Sequence, residues 1–304
     1  MYGLASFVMR GRSQAAMAAT VLAILALRVP LLSILSSAVV AFVTLRKGLA
    51  DGLMVGAISA LASGLLSYLL LESPAPVVGF LLVLWLPVWV LGALLRSSRS
   101  LDLAAQLALG FGLVLLAVFY VQLGDPRALW EEILRPVAEG FVESQVMDAD
   151  QSQAFVQLVA AWMTGIFAAG FYFQLLLALL LARSWQARLY NPGGFQTEFH
   201  ALRASRVLGL VALPLLGLTL LQGADAPGLV RDLGLLLVPL FFLQGLAVAH
   251  NVVARTRMST GWLVALYILF FVAMPYAEIL VTVIGVADVF ADFRSRVQPA
   301  ARPE

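Results

Sequence analysis

Two ionisable side chains are predicted to lie deep within the hydrocarbon, where they could do chemistry. Glu278 lies 17 residues after Gly261, and Arg28 lies 15 residues after Ser13. A helical rise of 1.5 Å per residue places them about 25 Å and about 22 Å from the inner membrane surface. Ionisable groups at such a depth are costly and tend to be functional. We predict that Glu278 and Arg28 pair beside a cavity and bind a ligand; the alternative is an ion pair that only locks two helices.

Other candidates for catalysis are few. His250 precedes Arg255 by five residues and is predicted to form a helix-end hydrogen bond near the inner surface, while His200 lies in a predicted loop. The sequence has no cysteine, which excludes a thiolate metal site and a cysteine nucleophile. It also lacks the HExxH, GxSxG and P-loop patterns that mark zinc proteases, serine hydrolases and nucleotide-binding proteins. We therefore predict no enzymatic activity, no metal site and no cofactor.

The composition is that of an integral membrane protein. Hydrophobic residues make up 62% of the chain and charged residues only 12%, against about 25% charged residues in soluble domains. The net charge of +2 is spread over many short loops and indicates no nucleic-acid partner. We predict an all-α, polytopic helical bundle embedded in the lipid bilayer, with a single transmembrane domain over residues 1–296 and a tail over 297–304.

The apolar residues form about nine segments, and the count lies between eight and ten. A helix needs about 20 residues to cross ~30 Å of hydrocarbon. The segments cover residues 14–27, 31–45, 51–71, 77–95, 103–124, 154–181, 207–221, 228–253 and 261–286. Pro30 separates the first two short segments, which predicts a tight helical hairpin. Pro275 lies within the last segment and could divide it into two half-helices that return to the inner face.

Charge asymmetry between loops predicts the orientation. Arginine and lysine fall on alternate loops, such as those around Arg46, Arg96 and Arg188, and these loops are assigned to the cytoplasm of a bacterial inner membrane. Nine crossings would place the C-terminus outside. Arg294, Arg296 and Arg302 indicate instead that it lies inside. Either the division at Pro275 or an early segment that fails to cross would remove this conflict.

Residues 125–153 form an outer acidic segment, with seven carboxylates against Arg127 and Arg135. Its apolar residues from Trp130 to Val142 recur at helical spacing, which predicts an amphipathic helix. Pro136 should kink or divide this helix. We favour a helix that lies on the outer surface with Trp130 at headgroup level. The alternative is a lid over an outward-facing cavity.

Residues 184–206 form an inner loop with a second amphipathic segment. The run from Asn191 to Gly194 is a turn signal. After it, Phe195, Phe199 and Leu202 recur at helical spacing. Such a helix could lie on the inner interface, or its three apolar side chains could dock a partner protein.

Small residues recur every four positions near the third apolar segment. Four-residue spacing places them on one helix face, which lets another backbone approach closely. The residues are Gly48, Gly52, Gly56, Ala60 and Gly64. We predict that the four glycines pack against another helix of the same chain; a homodimer seam is the alternative.

Three C-terminal runs and one inner-loop run carry a family resemblance. They are Gly245–His250, Gly261–Tyr267, Asp288–Arg294 and the loop residues from Gly193 to Arg203. With the short paired N-terminal segments, they resemble the YybS-like family of bacterial predicted membrane proteins. That family is distantly similar to the S components of energy-coupling-factor vitamin transporters. The resemblance implies docking of a coupling subunit through a face with Ala15, Ala19 and Ala23, but this chain has more helices and a long outer segment, so no ligand residue is carried over.

These observations predict a transporter-like membrane subunit that binds a small solute in an outward-facing polar cavity. The alternative is a membrane scaffold that docks a membrane or cytoplasmic protein through residues 184–206 and the glycine face. A third reading is an intramembrane enzyme that acts on a lipid-linked substrate. A polar cavity that contains Glu278 would favour transport, and an exposed apolar face on a solid bundle would favour the scaffold.

Overall fold

The computed structural model describes residues 2–73 and 75–297, and these residues form helices and no strand. The all-α prediction is therefore confirmed. Residues 298–304, which include Arg302 and nearly all of the predicted tail, lie outside the described residues.

Fifteen α-helices are distinguished in the described residues. The first six are α1 Tyr2–Met9, α2 Arg12–Ala26, α3 Leu32–Lys47, α4 Leu49–Leu71, α5 Ala75–Gly79 and α6 Leu86–Ser98, with a π-helical stretch over Phe80–Trp85 between the last two. The next four are α7 Leu101–Leu123, α8 Pro126–Glu143, α9 Ala149–Tyr190 and α10 Gly194–Ala201. The last five are α11 Arg206–Gln222, α12 Gly228–Thr256, α13 Gly261–Val272, α14 Tyr276–Ala291 and α15 Phe293–Arg296.

These helices form two compact units. The first unit comprises Met1–Ala108 and Phe173–Ala201, and the second comprises Leu109–Tyr172 and Leu202–Glu304. Helices α7 and α9 contribute residues to both units.

Helix α3 is the centre of the first unit, because its residues 36–45 are buried on every side. Ser36 makes two buried hydrogen bonds there. Its hydroxyl donates to the carbonyl oxygen of Ala19 on α2 at 2.8 Å and accepts from the Trp85 indole at 3.1 Å. Phe42 packs edge-on against Trp185 of α9. Satisfied polar groups and close packing therefore fix α3 against its neighbours.

Helices α2 and α3 form the predicted hairpin, with its turn at residues 27–31. Arg12, the first residue of α2, forms an ion pair with Asp51 in the first turn of α4. Since α4 follows α3 after the single residue Gly48, both ends of the hairpin lie together. Helix α2 has 15 residues and is about 22 Å long at 1.5 Å per residue, which is too short to cross a bilayer.

Close packing at the predicted glycine face is observed at Gly52. A Cβ atom added at Gly52 would overlap Thr44 of α3, whose Cα lies 3.1 Å away. At Gly56 and Gly64 an added Cβ would meet nothing within 4 Å in the described residues. Gly48 precedes α4 and has a φ of +114°, a conformation that favours glycine. Gly48 serves the turn between helices, and the packing of Gly64 and of the buried Gly56 against another helix stays a prediction.

Helix α12 is the centre of the second unit, and α14 packs directly on it. Gly245 lies against the carbonyl oxygen of Val281, and Gly285 lies against the carbonyl oxygen of Phe241. The absence of a Cβ at both glycines permits this approach of the two backbones.

Pro275 divides the last apolar segment, as the sequence predicts, and the two halves form a second hairpin. Helix α13 has 12 residues and is about 18 Å long at 1.5 Å per residue. Helix α14 then returns toward the end of α12. A hydrogen bond shows this return: Arg255, near the end of α12, donates to the carbonyl oxygen of Arg294 in α15. Since α13 begins only five residues after Thr256, the beginning and the end of this hairpin lie at the same end of α12.

Within residues 2–73 and 75–297, six helices are long and apolar enough to cross a membrane, so the predicted count of about nine is not confirmed. They cover Leu49–Leu69, Val77–Ser98, Leu101–Leu123, Ala149–Tyr190, Arg206–Asp225 and Gly228–Thr256. Helices α2 and α13 are apolar but too short. The prediction counted the apolar segments of both hairpins as crossings, whereas their lengths fall below the roughly 20 residues that a span requires.

Candidate functional site

The outer acidic segment folds back on α9 as an antiparallel pair of helices. The Asp125 carboxylate accepts a hydrogen bond from the Arg127 backbone at 3.0 Å and caps the start of α8. The Ser152 hydroxyl on α9 donates to the carbonyl oxygen of Ala138 at 2.9 Å. Arg127 also donates to the carbonyl oxygen of Gln157 at 3.2 Å. These bonds hold α8 against the first turns of α9.

Two residues of α8 bear on its predicted form. Pro136 lies inside the helix, which continues without division from Pro126 to Glu143. Trp130 is buried, and its indole donates to the Thr164 hydroxyl at 2.8 Å. Its ring packs against Phe119 and Phe167. Trp130 therefore anchors α8 inside the protein.

A groove lies between α8 and α9 and has a volume of about 470 Å³. Its lining residues are Glu131, Arg135, Ala138, Glu139, Val142, Glu143, Ala149, Ser152, Gln153, Val156 and Gln157. We call it the acidic groove. Three of its side chains are carboxylates and one is an arginine. Glu131 is compensated by Arg127, whose Nε lies 3.2 Å from its carboxylate. The acidic groove therefore favours a cationic occupant, and its glutamines and serine add hydrogen-bonding groups.

The two predicted ligand residues lie at the turns of the two hairpins. Arg28 is exposed in the turn between α2 and α3 of the first unit. Glu278 is half-buried in the first turn of α14 in the second unit. Glu278 lines neither the acidic groove nor the pocket of the first unit described below. The pairing of Arg28 with Glu278 stays a prediction.

The predicted docking helix exists as α10 and buries none of its residues. Phe195 and Phe199 stack with their ring centroids 5.9 Å apart. Glu198, on the same helix, accepts two hydrogen bonds from Arg183 at 2.7 and 2.5 Å, which holds α10 against the end of α9. Leu202 follows α10 and is only 2% exposed, so it offers no surface to a partner.

The sequence comparisons identify a family. A family model described as "Predicted membrane protein (DUF2232)" matches residues 17–289. The chain belongs to this family. The match supports the resemblance to YybS-like membrane proteins and a multi-pass membrane location. No curated protein and no solved structure matches this DUF2232 chain. Similarity to energy-coupling-factor S components stays a prediction.

The DUF2232 chain also contains a buried polar cluster that the sequence analysis did not assign. Asp288 of α14 is fully buried and accepts from Arg294 at 2.6 Å and from the Gln244 amide at 3.0 Å. Its other oxygen accepts from the Phe293 backbone at 3.1 Å. The Gln244 side chain accepts in turn from the Ala204 backbone at 2.8 Å. We call these residues the Asp288 cluster. Every polar group named in it has a partner. We call such an arrangement a structural lock, because it stabilises one conformation without a ligand.

Around this cluster, Arg203 holds the turn after α14. It donates to the carbonyl oxygens of Asp288 and Val289 at 3.2 and 3.3 Å, and it lies 3.5 Å from the Asp292 carboxylate. Desolvation opposes ionisation of Asp292, but Arg203 and Ser295 outweigh it and lower the pKa of Asp292 below its usual range. Arg203 therefore links the residues before α11 to the end of α14.

A second buried carboxylate lies near the start of α12. Asp232 is 1% exposed. The Tyr120 hydroxyl donates to it at 2.7 Å. Arg231 is also buried, donates to the carbonyl oxygen of Ala224 at 2.9 Å and lies over the Trp162 ring at 5.6 Å. These contacts tie α7, α9 and α12 of the second unit together.

His250 makes a side-chain hydrogen bond to α13. Its Nε2 lies 2.9 Å from the Tyr267 hydroxyl of α13, and the two rings pack edge to face. The bond joins α13 to α12.

Proposed function

We propose that this protein is a transporter-like subunit of a bacterial inner membrane that binds a small cationic solute in the acidic groove. The observation that carries the proposal is the excess of carboxylates in a cavity of about 470 Å³ between α8 and α9. A small organic solute fits a cavity of this size. Positive charge would compensate Glu139 and Glu143, which make no hydrogen bond or ion pair in the described part of the chain.

The orientation of the groove rests on the charge pattern and on the six spans. If both hairpins return to the side from which they enter, six crossings place Arg46, Arg96, Arg188 and Arg255 on one side. The acidic groove then lies on the opposite, outer side. Under the same condition Arg294 and Arg296 would lie inside, in agreement with their positive charge.

Cysteine labelling tests this orientation. Ser152 is buried, so exposed positions are better probes. A cysteine in place of Asp148 should react with a membrane-impermeant maleimide in intact cells, and a cysteine in place of Gln196 should react only after permeabilisation. The opposite pattern would place the acidic groove in the cytoplasm and contradict the proposal.

Binding of a defined amine tests the groove itself. Spermidine should raise the thermal unfolding midpoint of the purified protein in zwitterionic nanodiscs, and salt should weaken this effect through screening. The double variant Glu139→Gln, Glu143→Gln should abolish it. Glu132→Gln is the matched control, because Glu132 is exposed on the same helix and does not line the groove. Equal effects of both variants, or no stabilisation of the wild type by spermidine or by other small amines, would contradict the proposal.

The ligand role of Glu278 and Arg28 is tested in the same assay. If Glu278→Gln abolishes stabilisation by amines, the solute binds at Glu278. Glu278→Gln that leaves it intact would assign binding to the acidic groove alone.

A scaffold is the second candidate, and the stacked pair on α10 favours it. Phe195 and Phe199 are only half-buried on a helix that has no buried residue. Replacing both with serine should release a membrane or cytoplasmic partner from cross-linked membranes without changing the unfolding midpoint. Retention of every cross-linked partner would contradict the scaffold.

A further inference from the structure

A second cavity lies in the first unit, where α3, α6 and α9 all end. It has a volume of about 300 Å³. Its lining residues are Leu45, Leu95, Arg96, Arg99, Arg183, Gln186, Asn191 and Glu198. We call it the arginine pocket. Its walls contain three arginines and one carboxylate, so it carries a formal charge of about +2 before any ligand binds.

The one carboxylate is already compensated inside the protein. Arg183 is 6% exposed, and its Nε and Nη2 donate to the two oxygens of Glu198. Its remaining Nη1 donates to the Gln186 amide oxygen. Arg183 and Glu198 therefore form a bidentate pair that neutralises itself, and the Gln186 amide nitrogen remains as a donor.

Two arginines of the pocket lack a carboxylate partner. Arg96 uses Nη1 to donate to the carbonyl oxygens of Leu45 and Arg46 at 2.7 and 2.9 Å, which caps the end of α3 and leaves its other nitrogens available. Arg99 makes no side-chain hydrogen bond or ion pair within residues 2–73 and 75–297. Both side chains are exposed, so a ligand can reach two guanidinium groups whose charge is not compensated.

We propose that the arginine pocket binds a phosphate group. Guanidinium groups match phosphate oxygens with paired, charge-assisted hydrogen bonds. The amides of Gln186 and Asn191 add neutral donors. A phosphate ligand carries one or two negative charges and several acceptor oxygens. It can therefore accept hydrogen bonds from two arginines and two amides, whereas a carboxylate ligand has only one charge and two oxygens.

The position of the pocket suggests two sources of that phosphate. Two of the spanning helices end at Ser98 and Tyr190, and six of the eight pocket residues lie near these two ends. This is the depth at which lipid headgroups lie. The phosphate can therefore belong to an anionic lipid or to a soluble phosphate compound at the membrane surface.

The test measures phosphate-dependent stabilisation of the full chain in nanodiscs. One arm compares nanodiscs of phosphatidylcholine with nanodiscs that also contain phosphatidylglycerol. The other arm adds inorganic phosphate or glycerol phosphate to phosphatidylcholine nanodiscs. The variant is Arg99→Gln, which removes an arginine without an internal partner. The matched control is Arg188→Gln, because Arg188 is exposed near the end of α9 and does not line the pocket.

We expect Arg99→Gln to weaken phosphate binding about tenfold, as loss of a charge-assisted hydrogen bond does, while Arg188→Gln leaves it unchanged. Stabilisation by phosphatidylglycerol alone identifies a lipid site, and stabilisation by the soluble phosphates identifies a soluble ligand; either result supports the proposal. No stabilisation in either arm, or equal losses in the two variants, would overturn it.

Asn191→Asp provides a second variant that adds negative charge without removing an arginine. It should weaken phosphate binding as Arg99→Gln does. Circular dichroism and the unfolding midpoint without phosphate show whether each variant is folded. A folded Asn191→Asp protein that binds phosphate as tightly as the wild type would contradict the assignment of Asn191 to the site.

Discussion

The Asp288 cluster of the second unit and the arginine pocket of the first unit both bring arginine and carboxylate side chains together. In the Asp288 cluster, the carboxylate is fully buried and accepts from a side-chain amide, a backbone amide and Arg294. In the arginine pocket, three arginines face one carboxylate around a cavity of about 300 Å³. The first arrangement is complete without a ligand, whereas the second leaves charge uncompensated.

The difference separates a lock from a site. A buried charge whose partners all lie inside the protein stabilises one conformation. If one partner is removed, the desolvation of the remaining charge is no longer compensated and the protein is destabilised. A charge that reaches solvent without an internal partner costs little to keep and is free to bind an anion. Substitutions in the two regions should therefore affect different measurements.

The largest expected effect is that of Asp288→Ala. It removes the buried carboxylate that accepts hydrogen bonds from Arg294, Gln244 and Phe293. Breaking a buried pair in this way costs about 3–5 kcal/mol. The unfolding midpoint in detergent or in nanodiscs should fall markedly. A variant as stable as the wild type would show that the cluster does not lock α14 to α12.

A smaller loss of stability is expected from a substitution at the contact between α12 and α14. A Cβ at Gly245 would overlap the carbonyl oxygen of Val281, so Gly245→Ala should cost about 1–3 kcal/mol, as overpacking does. Gly56→Ala is the matched control on α4, where an added Cβ meets nothing within 4 Å. It should be neutral or slightly stabilising, since alanine favours helix over glycine. Equal losses in the two variants would show that the contact between α12 and α14 is not specific.

Much of this architecture could be predicted from the sequence, but its internal partners could not. Pro30 and Pro275 predict both hairpins, because proline weakens a helix at a defined residue. Nothing in the sequence says which residues face Asp288, since the contact of α12 with α14 depends on the register that Gly245 and Gly285 permit. Sequence periodicity alone cannot supply that register.

The arginine pocket had a signal that the sequence analysis did not use. The turn from Asn191 to Gly194 reverses the chain, so α10 folds back toward the end of α9. That reversal brings Glu198 within reach of Arg183, fifteen residues earlier. The arginines were interpreted only as orientation charges, which explains why their cavity was missed. Whether the Trp130 side chain faces lipid or packs inside the protein could not be predicted, because an amphipathic stripe is expected in both cases.

The smallest expected effect is that of Asp292→Asn. The Asp292 side chain is 41% exposed, and its contact with Arg203 is 3.5 Å. Exposed pairs of this kind contribute little, so the unfolding midpoint at neutral pH should not change measurably. Because the pKa of Asp292 is lowered in the folded state, its small contribution is present above the ordinary aspartate pKa and is lost as the pH falls through the lowered value. A large fall in the unfolding midpoint of Asp292→Asn at neutral pH would show that exposed residues also stabilise this region.

The most direct test of the distinction is the unfolding midpoint of Asp288→Asn and Arg99→Gln, each with and without a saturating phosphate ligand. A ligand at one hundred times its Kd stabilises by about 2.7 kcal/mol. We predict that Asp288→Asn unfolds at a lower midpoint but keeps its stabilisation by phosphate. Arg99→Gln should keep the wild-type midpoint without phosphate and lose the stabilisation. If phosphate no longer raises the unfolding midpoint of Asp288→Asn but still raises that of Arg99→Gln, the distinction is contradicted. The Asp288 cluster would then not be the structural lock, and the arginine pocket would not be the phosphate site.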